Sequence, residues 1–198
     1  MLKPDFKQER PSPAEKQAIW KNSIFAARAR NLPPLTAFLA IARSAFVNGG
    51  VEFACFSVAD NPTLDWFISR NRINEVGFLK HLLTSDAFQS ALPQVKPPEA
   101  LKPIEWSESS SYALDGDLAS LIKTGGAYES YKGTGHEAKK LAQHACEALF
   151  ANRYEDILVF TTNTPWSPWF HDVAWDFTCV VIDKKEREVC VLCVTDTD

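Results

Sequence analysis

The segment DFTCVVIDKKEREVCVLCVTD, residues 176–196, limits the possible folds more than any other stretch of this chain. It reads as a β-hairpin turning at Lys185–Glu186. If Lys184 pairs with Arg187, then Phe177 faces Val194, Cys179 faces Leu192 and Val181 faces Cys190 on one surface. The other surface pairs Thr178 with Cys193, Val180 with Val191 and Ile182 with Val189. Both surfaces are apolar near the turn. A hairpin of this kind must be covered on both sides, as an interior pair of a sheet is.

The remaining segments supply the cover. PLTAFLAIARSAFV carries Leu35, Phe38, Leu39, Ala42, Ala45 and Phe46 on one helical stripe, and NGG stops it. Thr134 and Glu137 have capping-box spacing and begin a helix with Ala138, Leu141, Ala142, Ala145, Cys146, Leu149 and Phe150 on its apolar face. DGDLASLIK opens a shorter helix with aspartates in its first turn. Helix is also expected from Pro13 through residue 30, and over 75–91 with a break near Ser85. VEFACFSV and DILVFTT read as strands, and LDWFIS as a further strand. The fold class expected is α+β: an antiparallel sheet with a C-terminal β-hairpin packed against amphipathic helices.

Residues 1–12 are polar and expected to be disordered, and 13–198 to form a single α+β domain. The alternative is two lobes, 13–92 and 113–198, joined by a proline-rich connector, 93–112, with four prolines from Pro93 to Pro103. Laying 46–67 against 150–170 matches Phe46/Phe150, Asn48/Asn152, Phe56/Phe160, Pro62/Pro165, Trp66/Trp169 and Phe67/Phe170, which suggests a duplicated helix–strand unit.

Five cysteines, an odd number, all sit in apolar stretches, so buried reduced thiols are expected rather than a disulfide framework. Cys190 and Cys193 have C-x-x-C spacing, but three residues apart on a strand they point to opposite faces, which spoils a shared metal or redox site. The N-terminal stretch lacks the apolar core of a secretory signal, and no run is long enough to cross a bilayer, so the expected location is the cytoplasm. Residues 1–99 carry 12 basic and 9 acidic side chains, net +3, and residues 100–198 carry 9 and 16, net −7. So acidic a half is a poor fit for nucleic acid, and a basic protein partner, a cation or an intramolecular match between the two halves all stay open.

The candidate site is WSPWFHDVAWD, residues 166–176, at the open end of the hairpin. There Asp176 falls opposite Thr195, Trp175 falls opposite Asp196, and Asp172 lies further along the same end. Trp166, Trp169, Trp175, Tyr128 and Tyr131 are the expected partner-binding residues, on the view that exposed tryptophan with an acidic rim suits Arg- or Lys-bearing partners. A metal-assisted hydrolase is the alternative. In it His171, Asp172 and Asp176 are catalytic, and Asp172, Asp176 and Asp196 hold a divalent cation that activates water. The plainest alternative makes the tryptophans core and the aspartates caps. GTGHEA matches G-x-G-x-x-A but lacks a preceding strand, TGGAY reads as a helix cap and loop, and no serine stands in a G-x-S-x-G elbow. The favoured expectation is a non-catalytic cytoplasmic protein-binding module, immunity- or accessory-factor-like, with no cofactor identified.

Overall fold

The computed structural model describes residues 3–198; Met1 and Leu2, part of the segment expected to be disordered, lie outside them. The fold is α+β, as expected, built on one six-stranded antiparallel sheet. Its strands are β1 (Phe25–Arg28), β2 (Gly50–Val58), β3 (Ser107–Ser109), β4 (Ile157–Thr162), β5 (Phe177–Asp183) and β6 (Glu188–Thr195), in the order β1-β2-β6-β5-β4-β3. The hairpin β5–β6 is the central pair. Its register is the one derived from the turn, with Phe177 opposite Val194, Cys179 opposite Leu192 and Val181 opposite Cys190. Every residue of β6 is buried.

Helices α2 (Pro33–Ala45), α3 (Pro62–Ile68), α4 (Phe78–Leu83), α5 (Asp86–Ala91), α6 (Leu114–Thr124) and α7 (Gly135–Phe150) cover the two sheet faces, and α1 (Pro13–Ala18), which buries no residue, lies against α3. On the first face Leu64, Phe67, Phe78, Leu82 and Phe88 pack on Phe56, Val180, Val191 and Cys193. On the second face Phe38, Ala42, Ile122, Ala142 and Phe150 pack on Val159, Cys179, Leu192 and Val194. The helical stripes account for this second layer. In α2, Leu35, Phe38, Leu39, Ala42 and Ala45 recur every three or four residues and are all buried. In α7, the capping box forms as Thr134 Oγ1 accepts from Glu137 N–H and the Glu137 carboxylate accepts from Thr134 N–H. Small residues Ala138, Ala142 and Ala145 face inward there, which lets α2 approach α7 closely.

Three local expectations are corrected. LDWFIS is the body of α3, not a strand. The Asn61 side chain accepts from Leu64 N–H at 3.0 Å, Pro62 occupies the first turn, and Leu64, Phe67 and Ile68 share the buried face. The helix begun at Pro13 does not reach residue 30. It ends in a short 3-10 turn, Ile19–Lys21, and the chain becomes β1, which pairs with the outer edge of β2 and satisfies backbone groups that edge would otherwise leave open. Cys55 and Cys190 are joined by a disulfide, because β2 pairs with β6 in a register that sets them directly opposite. Cys146, Cys179 and Cys193 are the free, buried thiols expected, and burial pushes Cys146 up to about 12. Cys190 and Cys193 belong to opposite core layers, as the strand alternation requires.

The break near Ser85 separates α4 from α5, with the Ser85 hydroxyl accepting from Phe88 N–H. Within 3–12, Gln8 O accepts from Trp66 Nε1 at 3.4 Å and Arg10 pairs with Glu75 at 2.7 Å, so this segment runs against α3. Strands from both halves share the sheet. β2, in 13–92, pairs with β6, in 113–198, over eight residues, while β3, inside the proline-rich connector, pairs with β4. The two segments matched in sequence occupy comparable places: β1–α2–β2 lies to one side of the central hairpin and β3–α6–α7–β4 to the other. Phe56 and Phe160, Trp66 and Trp169, and Phe67 and Phe170 all pack in the first layer.

Two measurements check this architecture. Because the halves share one sheet, urea unfolding followed by tryptophan fluorescence and by far-UV circular dichroism should give one coincident transition, whereas independent lobes would give two. Under denaturing, non-reducing conditions three thiols should alkylate, rising to five after reduction; five without reductant would show the bridge to be open.

Candidate functional site

Four segments meet at the open end of the hairpin: 46–50 between α2 and β2, 125–133 between α6 and α7, 163–176 between β4 and β5, and residues 195–198 after β6. Two carboxylates hold them. Asp176 is fully buried and accepts from Thr195 Oγ1 at 2.6 Å, Val173 N–H at 3.1 Å and His171 N–H at 3.4 Å. Its carbonyl takes a further bond from Asn163 Nδ2 at 2.7 Å, which fastens both ends of the 163–176 loop. Asp196, also fully buried, accepts from Asn48 N–H at 2.7 Å on one oxygen and Ala127 N–H at 2.8 Å on the other. It bridges the 46–50 loop, the 125–133 loop and β6.

The glycines in those loops are there for close approach. A Cβ on Gly126 would stand 1.9 Å from Asp196 Oδ2, and one on Gly49 would stand 2.3 Å from the Thr195 carbonyl oxygen. NGG and TGG therefore do more than stop helices. They let backbone pass over the end of β6 and donate to its last buried acid.

The aromatic groups divide between the two faces. Trp166 is core: it is 4% exposed, its indole N–H donates to Thr178 Oγ1 at 2.9 Å, and its ring meets Phe170 edge-on at 5.3 Å. Trp169 is half-buried in the same layer, beside Phe170 and Gly50. Trp175 and Tyr131 are half-buried in the opposite layer. Tyr128 is 63% exposed, directly after the Ala127 amide held by Asp196, and Val47, 51% exposed, directly precedes the Asn48 amide held by the same carboxylate. Of the five residues expected to contact a partner, Tyr131 and Trp175 thus go to one layer, Trp166 and Trp169 to the other, and Tyr128 stands exposed.

The catalytic and metal sets do not assemble as expected. His171 and Asp172 are exposed near the tip of the 163–176 loop, and Asp172 adopts left-handed backbone with φ 57°. They line a cavity of about 610 Å³ together with Trp166, Phe170 and the connector, but Asp176 is not in its wall. The Asp176 carboxylate is turned inward to amides and a hydroxyl, which is a poor geometry for accepting a proton from substrate. Among the described residues, Asp172, Asp176 and Asp196 do not bring their carboxylate oxygens within 4.8 Å of one another; the one group of three whose ligand atoms lie that close is Cys55 Sγ, a Glu188 carboxylate oxygen and Cys190 Sγ. There the two cysteines are bonded to each other and Glu188 is paired with Arg28 at 3.1 Å and Arg30 at 2.5 Å, so cations already occupy its oxygens.

Sequence reasoning missed Asn48, Gly49, Gly126, Ala127 and Ser167. The Ser167 hydroxyl donates to Lys96 O at 3.0 Å and draws the connector onto the loop. The doublets NGG and TGG, each placed after an apolar helix, were the available signal.

Replacing Asp196 with Ala should leave the Asn48 and Ala127 amides without an acceptor, at about 1–3 kcal/mol each. Denaturant unfolding should show that loss, and hydrogen exchange should rise first at Asn48 and Ala127. Unchanged stability would mean that the buried carboxylate does not tie the corner.

Set against known proteins, the chain matches no protein-family model and no characterised relative, so the geometry above is what bears on its function.

Proposed function

We propose that this chain is a non-catalytic protein-binding module, of the immunity or accessory-factor kind, whose contact surface is the sheet-end corner around Asp196. One observation carries the reading. The two most buried acids of the corner are spent on holding loops, and the loops so held carry Tyr128 and Val47 outward and leave Trp175 half-buried. A frame fixed before binding loses less conformational freedom when a partner arrives, and aromatic groups in a fixed frame are the usual anchors of an interface.

Asp172 and Asp198 are exposed at the rim of the corner, Glu129 there pairs with Lys132 at 2.8 Å, and the half of the chain that supplies most of the rim carries net −7. That charge favours a basic protein and disfavours nucleic acid. No helix among the described residues is long and apolar enough to cross a membrane, and the cytoplasm is the setting we assign. The Cys55–Cys190 bridge pulls the other way, since cytosolic reductants keep most thiols reduced; the thiol count given above, taken on freshly lysed cells, decides between the two.

The hydrolase reading keeps the cavity at His171 and Asp172 but loses Asp176 to backbone bonds. A photo-cross-linking residue placed at Tyr128 or Trp175 should give discrete heavier species in cells, and the same residue at exposed Lys140 on α7 should not. Tyr128→Ala and Trp175→Ala should each weaken capture of the cross-linked protein about tenfold, or about 1.4 kcal/mol. No cross-link at either position, together with thermal stabilisation by Mg²⁺, Mn²⁺, Ca²⁺ or Zn²⁺ that Asp172→Asn abolishes, would overturn the binding reading in favour of the hydrolase.

A further inference from the structure

We propose that the trench beneath the proline-rich connector is a second docking site, for an extended acidic segment of a partner protein that presents an apolar side chain on either side of a carboxylate. This rests on the reading of the chain as a binding module, but it uses the sheet face opposite Tyr131 and Trp175.

The trench consists of two adjoining cavities, about 460 Å³ and about 610 Å³, that share Lys102, Pro103 and Ile104 as a common wall. Each lies within the size range of ordinary ligand pockets. The first is apolar, between Phe78 and Leu79 at the start of α4 and Trp106 just before β3. The second has Trp166 and Phe170 among its lining residues, with Pro98 and Pro165 beside them. Two basins that adjoin through a shared wall suit an extended chain with two apolar side chains better than one compact molecule.

Charge sets what lies between those side chains. Lys102 borders both basins and Lys80 borders the first; both are exposed, and among the described residues neither has a carboxylate within 4.0 Å. No acidic residue lines the first basin. A carboxylate carried across the shared wall therefore meets Lys102, and one held in the first basin also has Lys80 beside it. Asp172 lines the second basin and disfavours a second acid there.

Backbone groups are available as well. Outside the β3–β4 ladder, no hydrogen bond among the described residues engages the main chain of 104–109, and β3 is the outermost strand on that side. An extended segment can take up the groups left over, as in strand addition to a sheet edge. The wall is in place beforehand, because Val95 is buried in the core and Ser167 holds the Lys96 carbonyl.

The test is a display library of random twelve-residue segments, selected in parallel against the full chain and against its Lys80→Glu/Lys102→Glu variant, whose thermal unfolding should match the parent because both side chains are exposed. The expected result is that the parent enriches segments with Asp or Glu between two apolar residues, and the variant enriches Lys or Arg at that position. The best parent-selected segment, fluorescently labelled, should bind the variant at least tenfold more weakly and the Tyr128→Ala/Trp175→Ala variant unchanged. No enrichment, enrichment without a charge preference, or equal binding to parent and charge-reversed variant would overturn the trench. Loss on Tyr128→Ala/Trp175→Ala alone would overturn it too, by assigning the segment to the Asp196 corner, whose own reading stands or falls on the cross-linking at Tyr128 and Trp175.

Discussion

Everything in this fold depends on a hairpin that has no polar face. The side chains of β5 and β6 leave the sheet in both directions as apolar groups, so water must be excluded from both sides at once. Two helical layers result, and the remaining strands extend the sheet outward from that pair. The same constraint decides where polar chemistry can sit. Along the length of the hairpin there is no room for it, and it is confined to the strand ends and the loops that turn there.

At one of those ends the molecule uses carboxylates as structural ties. A carboxylate has acceptor capacity for several donors at once, which suits it to gathering amides from loops distant in sequence. Asp196 takes one amide from each of two loops about 80 residues apart in the chain, and Asp176 takes two amides and a hydroxyl. Each such bond to a charged group contributes about 1.5–3 kcal/mol against the cost of removing the charge from water. Acidic residues clustered in sequence thus look like a catalytic centre until their partners are known.

The central pairing could be read from the sequence because it is local. The turn fixes the register, and alternation then fixes which side chains share a face. The two long helices were legible for the same reason, through apolar spacing and the Thr134–Glu137 cap. Cys55 and Cys190 could not be paired from sequence, since their meeting requires β2 to lie beside β6, an arrangement set by packing across 135 residues of separation. The edge strand β1 was hidden likewise: FAAR has no strong strand signal and takes its conformation from the edge of β2. At the site, the aspartates were found by composition, but their roles were not, because Asn48 and Ala127 contribute main-chain amides that no side-chain pattern announces.

The matched tryptophans differ in one respect that bears on recognition. Trp66 is almost fully enclosed, with Arg70 over its ring at 4.2 Å and its indole N–H given to the carbonyl of Gln8. Trp169, matched to it in the sequence alignment, is left half open. The chain therefore carries its own illustration of how such a ring is closed over: a strip of backbone supplies a carbonyl acceptor, and a guanidinium stands over the face.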